Sequence, residues 1–228
     1  MISNAQWQKI INEINKILGV DDISTAPDKL MKILQNRTER ERVFEEMLEL
    51  FAHDLSFDWF STYFQENLAN SKKGQVFTPP HTAELMSELV GLFGNGNTKG
   101  RTGDFCAGTG ALIIGNWNLA RKKDDYIPSD YIYLCVELSD RMIPFLIFNL
   151  AVRGITGFVI HGDMMKRESK GAFLILNEEN KSGNFSIVNS LPYFKATEQM
   201  LGFKFVEEKY PHQFEFKIKG TFRPVIII

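Results

Sequence analysis

The sequence predicts an α/β protein with a helical region in front of it. Three observations carry this. From residue 80 onward, segments of helical periodicity alternate with short apolar runs, the pattern of a parallel sheet with helices on both faces. Before residue 70, apolar residues recur only at helical spacing. Between the two lies a short polar hinge, NSKKG, at residues 70–74. The predicted division is a helical N-terminal region, 1–73, and an α/β domain, 74–228.

The elements follow in order. Trp7, Ile10, Ile11, Ile14, Ile17 and Leu18 share a helix face, and Gly19 stands where a helix end favours glycine. Pro27 opens a second helix through Leu30, Ile33 and Leu34. Residues 38–41 match a capping box, with a third helix through Val43, Phe44, Met47, Leu48 and Phe51. A fourth segment, 57–68, is rich in aromatics. Residues 80–93 and 111–121 are helical by periodicity. Strands are predicted at 101–105, 131–136, 157–160 and 185–188. Ser139 is placed to cap a helix ending at Val152 before Gly154. A short helix at 197–201 and β-like runs at 203–206, 214–218 and 225–228 close the chain.

Composition narrows the function classes. Apolar residues make up 44% and charged residues 24%, and mean hydropathy is -0.16, a globular balance. Nineteen Phe supply core material without staples. Cys106 and Cys135 are too few for a disulfide scaffold or a four-ligand zinc site, which suggests a reducing, cytoplasmic setting. His53, His81, His161 and His212 show no metal spacing, so no metal is expected. No apolar run approaches the ~20 residues of a membrane span, and the N-terminus lacks a signal-peptide pattern. A net charge of -2, taken alone, argues against a strongly electrostatic nucleic-acid binder.

The chemistry concentrates at predicted strand ends. DFCAGTG, residues 104–110, lies between a strand and a helix, where ligands of α/β sheets bind. Gly108 and Gly110 let a ligand approach the backbone. The third glycine of G-x-G-x-x-G is replaced by Ile113, and no G-K-[ST] follows. Asp104 disfavours a pyrophosphate and suits a ligand with an ammonium group. Glu137, directly after YIYLCV, can accept both hydroxyls of a ribose, with Leu138 beside it. Asp163, in VIHGD, can accept from an adenine amine. Amine, ribose and adenine together point to S-adenosylmethionine. Each acid also has the plainer reading of a turn or helix cap.

With these residues in view, the chain resembles the adenine-N6 DNA methyltransferases, in particular the methylation subunits of type I restriction-modification systems, over about residues 51–193. GQVFTPP (74–80) resembles the G-x-x-[YF]-T-P segment that lies against the methionine part of the cofactor, which implies contacts from Phe77, Thr78 and Pro79. DFCAGTG resembles D-P-A-C-G-T-G, with Cys106 shaping the pocket and Phe105 in place of the proline. ELSDRMIPFLIFNLAVRGI, from Glu137, resembles the ribose-binding turn and its helix. HGD, ending at Asp163, resembles the adenine-contacting turn. The resemblance implies a Rossmann-like S-adenosylmethionine-dependent methyltransferase sheet, a DNA substrate, and a specificity or restriction subunit as partner.

The family's catalytic motif is [ND]-P-P-[YF], whose first residue orients the target amine and whose aromatic stacks on a flipped adenine. Here the stretch reads FSIVNSLPYF. Pro192 and Tyr193 match; Ser190 and Leu191 stand where Asn or Asp and the first Pro belong; Asn189 is one place early. The catalytic set is therefore Asn189, Ser190, Pro192 and Tyr193, with Tyr193 and Phe194 as stacking candidates. Serine is shorter than a carboxamide, and Leu191 frees a backbone angle that proline would fix. Only 35 of the 228 residues follow Tyr193, too few for a target-recognition domain. Three readings compete: a DNA adenine-N6 methyltransferase, weak or partner-dependent; an inactive cofactor-binding relative acting as a regulatory or interaction subunit; and a methyltransferase of protein or small molecules. The basic clusters at 121–123 and 166–170 are solvated faces first and phosphate contacts second.

Overall fold

The computed structural model describes residues 4–61, 63–64, 78–93 and 99–215. The hinge expected at 70–74, Phe77 and the run at 225–228 lie outside them. So does most of the run at 214–218, whose first two residues are not strand.

Three helices come first: α1 (Asn4–Leu18), α2 (Ala26–Leu34) and α3 (Arg37–Leu50). α1 ends at Gly19, with φ +67°, and Pro27 sits in the first turn of α2. The cap of α3 is Asn36, whose side chain accepts from Glu39 N at 3.1 Å. This corrects the box expected at 38–41: Asn36 is extended, whereas Thr38 is already inside the helix. There follow α4 (Pro80–Phe93), β1 (Gly100–Asp104), α5 (Ala111–Arg121), β2 (Tyr131–Glu137), α6 (Ile143–Val152), β3 (Thr156–Asp163), β4 (Glu168–Leu176), β5 (Ile187–Ser190), α7 (Lys195–Leu201) and β6 (Lys204–Phe205). Ser139 does not cap α6 through its side chain. Its carbonyl accepts from Met142 N and Ile143 N in a preceding turn, and Pro144, which needs no donor partner, starts the helix.

The sheet order is β1-β2-β3-β4-β5, with β6 beside β4. β1, β2 and β3 are parallel; β4 is antiparallel to β3, and β5 to β4. So β5 again runs with the first three strands. β4 was not predicted. Only four residues separate it from β3, turning at Arg167 with φ +55°, so its chain neighbour is a strand where β-α alternation expects a helix. The sheet is therefore mixed.

Strand order also explains how the helices are distributed. β1, β2 and β3 are laid down in sequence in one direction, and right-handed crossovers then place α5 and α6 on the same face. That face carries the large core, in which Ile113 and Trp117 of α5, Phe145 and Phe148 of α6, and Tyr133, Val159 and Phe173 of the sheet join Phe44, Trp59 and Phe60. Phe44 meets Phe148 edge-on at 4.7 Å, so the N-terminal helices share this core. The other face has a smaller cluster, Val136, Ile160, Ala172 and Leu191, under Leu201 of α7 and Phe203. Helices thus lie on both faces, but unevenly.

The chain then returns across the strand ends. Lys209 N donates to Lys170 O, and Ser190 N to Gln213 O. Arg40, 1% exposed, holds Glu215 by two hydrogen bonds of 2.6 Å and also donates to Leu34 O. Removing one partner of such a pair strands the other as a buried charge. Arg40→Ala is expected to lower stability by about 3–5 kcal/mol in thermal or urea unfolding, whereas replacing Arg40 with Met and Glu215 with Leu together is expected to recover most of the loss.

Candidate functional site

Asp104 ends β1, and its carboxylate accepts from Cys106 N at 3.1 Å, turning the chain into the glycine loop. Burial raises the Asp104 pKa above its ordinary value, which the Cys106 amide offsets only in part. Gly108 has φ +56° and a Cβ there would meet nothing within 4 Å, so the space over it is open to a ligand. Gly110, φ +99°, lies against α6, where a Cβ would come within 3.0 Å of Leu146. Both are left-handed positions that side chains rarely adopt.

Glu137, at the end of the neighbouring strand, bonds the loop directly. Its Oε2 accepts from Gly108 N and its Oε1 from Ser139 N, each at 2.7 Å. Each oxygen keeps a lone pair for a further donor. Leu138 and Cys106 are exposed beside it. Asp163 sits at the next strand end, where its Oδ1 accepts from Met165 N and Lys166 N in a turn cap, and its Oδ2 faces the exposed Lys166 ammonium at 3.8 Å. The three acids thus end adjacent strands, as the sequence implies. Thr78 and the exposed Pro79 stand before α4; Thr78 lines a cavity of about 280 Å³ with Asp58, Ala83 and Ala111.

The 189–193 stretch is not brought to this loop. β5 is four strands from β1, roughly 19 Å at the usual spacing of about 4.8 Å. Its polar groups are also engaged. Ser190, 5% exposed, donates to Pro211 O and accepts from Gln213 N at 3.0 Å. Asn189, fully buried, accepts from Glu215 N at 2.8 Å. The Tyr193 hydroxyl donates to Tyr210 O at 3.1 Å and accepts from Tyr210 N at 2.8 Å, and its ring packs edge-on against Phe205. Pro192 is half-buried, and Phe194 is 66% exposed.

Between the two sites lies a group the sequence reading did not single out. His161, buried in β3, has Nδ1 2.6 Å from the Tyr210 hydroxyl. Its Nε2 is 2.7 Å from Asp140 Oδ1, without the alignment of a hydrogen bond. Burial pushes the His161 pKa down to about 4, although Asp140 opposes the shift. Partial burial works to raise the Asp140 pKa, but hydrogen bonds from Lys170 and Lys209, each 2.8 Å, hold it far below the carboxylate range. Lys170 of the 166–170 cluster is thus a structural ion-pair partner. Arg121 of the other cluster lies over the Trp117 ring at 4.3 Å. Cys135 is core.

Among the described residues, no group of three His, Cys, Asp or Glu could hold a metal ion, and no helix is long and apolar enough to cross a membrane. A glycine loop tied to an acid at the next strand end is an arrangement that nucleotide-like cofactors use in α/β proteins. Residues 53–221 match the family model described as N-6 DNA methylase, and the chain belongs to that family. No curated protein matches the sequence. Among solved structures it is similar to the type I restriction-modification system methyltransferase subunit from Streptococcus thermophilus, with 17% identity, a TM-score of 0.38 and 72% of this chain covered. The chain spans 41% of that subunit's length.

His161 gives a pH signature. Its proton is bound more readily in the unfolded chain, so its contribution is present above about pH 6.5 and is lost as pH falls towards 4. Unfolding free energy of the protein is expected to fall more steeply over that window than that of His161→Gln, by up to about 1.4 kcal/mol per pH unit; parallel profiles would show that His161 is not held neutral.

Proposed function

We propose that this chain binds S-adenosylmethionine at the 104–110 loop, as a protein of the DNA adenine-N6 methyltransferase type, and that by itself it holds the transfer site closed. The observation that carries the second half is the burial of Ser190 under residues 210–215, four strands from Asp104.

The residues present fit the cofactor. Space is open over Gly108, the remaining lone pairs of Glu137 suit two ribose hydroxyls, and Asp104 suits an ammonium group. Asp163 Oδ2 and the exposed Leu138 suit an adenine's amine and face. When bound, the cofactor supplies an electrophilic methyl group. The chain's part in transfer is to position an acceptor amine: Ser190 as a hydrogen-bond acceptor in place of Asn or Asp, and Tyr193 with Phe194 as the base-stacking pair. That role requires residues 210–215 to leave Ser190 and the Tyr193 hydroxyl, and strands β1 and β5 to be bridged. A partner that binds DNA, such as a specificity subunit, supplies both the trigger and the positive surface that a net charge of -2 lacks. DNA binding by this chain alone is weak. The setting is cytoplasmic.

Calorimetric titration with S-adenosylmethionine, followed by incubation with labelled cofactor and diverse DNA duplexes, tests both halves. Binding with little or no label in DNA is expected. Methylation by the chain alone at an ordinary rate overturns the closed site, and absence of binding overturns the cofactor assignment. Asp104→Ala and Glu137→Ala are each expected to weaken binding. Affinity is also expected to fall as pH drops through the raised titration range of Asp104, starting at higher pH than an ordinary aspartate would give, because the protonated acid no longer attracts an ammonium.

A further inference from the structure

The glycine loop is gripped from outside the sheet. Asp58, 4% exposed, lies in the irregular segment after α3. Its Oδ1 accepts from Phe60 N at 2.9 Å and from Asn149 Nδ2 at 2.8 Å, and its Oδ2 accepts from the Thr109 hydroxyl. Asn149 Nδ2 also donates to Thr109 O at 2.8 Å. Thr109 is therefore held at both its hydroxyl and its carbonyl, between the two left-handed glycines. Behind it, Arg153 Nη1 donates to Asn149 Oδ1 at 2.9 Å, while its Nε and Nη2 donate to Leu55 O and Phe57 O. Burial pushes the Arg153 pKa down to about 9, with Asp58 acting against the shift, so Arg153 remains a cation at neutral pH.

We infer that Asp58, acting through Thr109, is a positioning residue for the cofactor loop. It sets the backbone of residues 108–110 in its receiving conformation before any ligand arrives. Thr109 is 2% exposed, and Asp58, which borders the cavity beside Thr78, spends both carboxylate oxygens on hydrogen bonds within the protein. What they control is the path of the main chain. Glycines at positive φ have many alternatives when unrestrained, and a loop that must be ordered on binding loses affinity. The grip also ties the segment before the sheet to the loop, because among the described residues the buried carboxylate of Asp58 is satisfied by groups of the loop, of α6 and of its own turn.

The inference rests on the reading of the loop as a cofactor site, and its test separates the two. In the full chain, Thr109→Val removes the hydroxyl and keeps the shape, while Thr109→Ser keeps the hydroxyl. Titration with S-adenosylmethionine and with its demethylated product is paired with hydrogen exchange at the Gly108 and Gly110 amides, which donate to Glu137 and Ala107 O. Thr109→Val is expected to bind about tenfold more weakly and to exchange faster at those amides, both read well below its melting midpoint, which itself falls because Asp58 Oδ2 loses its donor; Thr109→Ser restores all three. Unchanged affinity and exchange in Thr109→Val overturn the inference. So does a loss that follows general unfolding and is not restored by Thr109→Ser. If the parent itself does not bind the cofactor, the functional reading fails, and the exchange rates alone decide whether Asp58 and Thr109 position the loop.

Discussion

Much of this molecule follows from laying three parallel strands side by side in chain order. Without a reversal after β1, right-handed crossovers stack α5 and α6 on one face. The N-terminal helices then have one thick apolar surface to complete, and they do so through Phe44, Trp59 and Phe60 against α6. Among the described residues β1 is the outermost strand, and its loop takes its support from Glu137 and from Asp58.

Two buried polar constructions hold the return path of the chain and the loop. One is the Arg40–Glu215 pair, which anchors residues 210–215 over Ser190. The other is the Asp58–Asn149–Arg153 network beneath Thr109. Each removes charge from water, so neither is a large net source of stability. Their value lies in specificity: an unmatched partner in either is costly, so alternative placements of the loop or of the returning segment are excluded. His161 adds a further buried polar contact to the returning segment, through the Tyr210 hydroxyl.

Several parts of this were legible in the residues. Pro27, Gly19 and Gly154 mark helix boundaries because their backbone restrictions act locally. Glu137 could be placed at a strand end because it follows the apolar run YIYLCV directly, whereas Asp104 and Asp163 were placed by the glycines beside them in DFCAGTG and HGD. Other parts were not. Asn36 replaces Thr38 as the cap because capping depends on where the helix starts, and weak periodicity leaves that start open. β4 was hidden by a four-residue connection where the pattern suggested a helix. Asn149, polar in an otherwise apolar helix, and Arg153 just after it gave a signal, but not their partners 91 and 98 residues away.

The sequence by itself determined the class of the protein and most of its local elements, β4 excepted, because propensity, capping and motif spacing act over a few residues. Only the tertiary structure decided the strand order, the antiparallel β4, the burial of Ser190 and the grip of Asp58 on Thr109. Each of these is a pairing between segments far apart in the chain. Such a pairing is chosen by which buried donors, acceptors and apolar faces can be satisfied together, and no local pattern records that outcome.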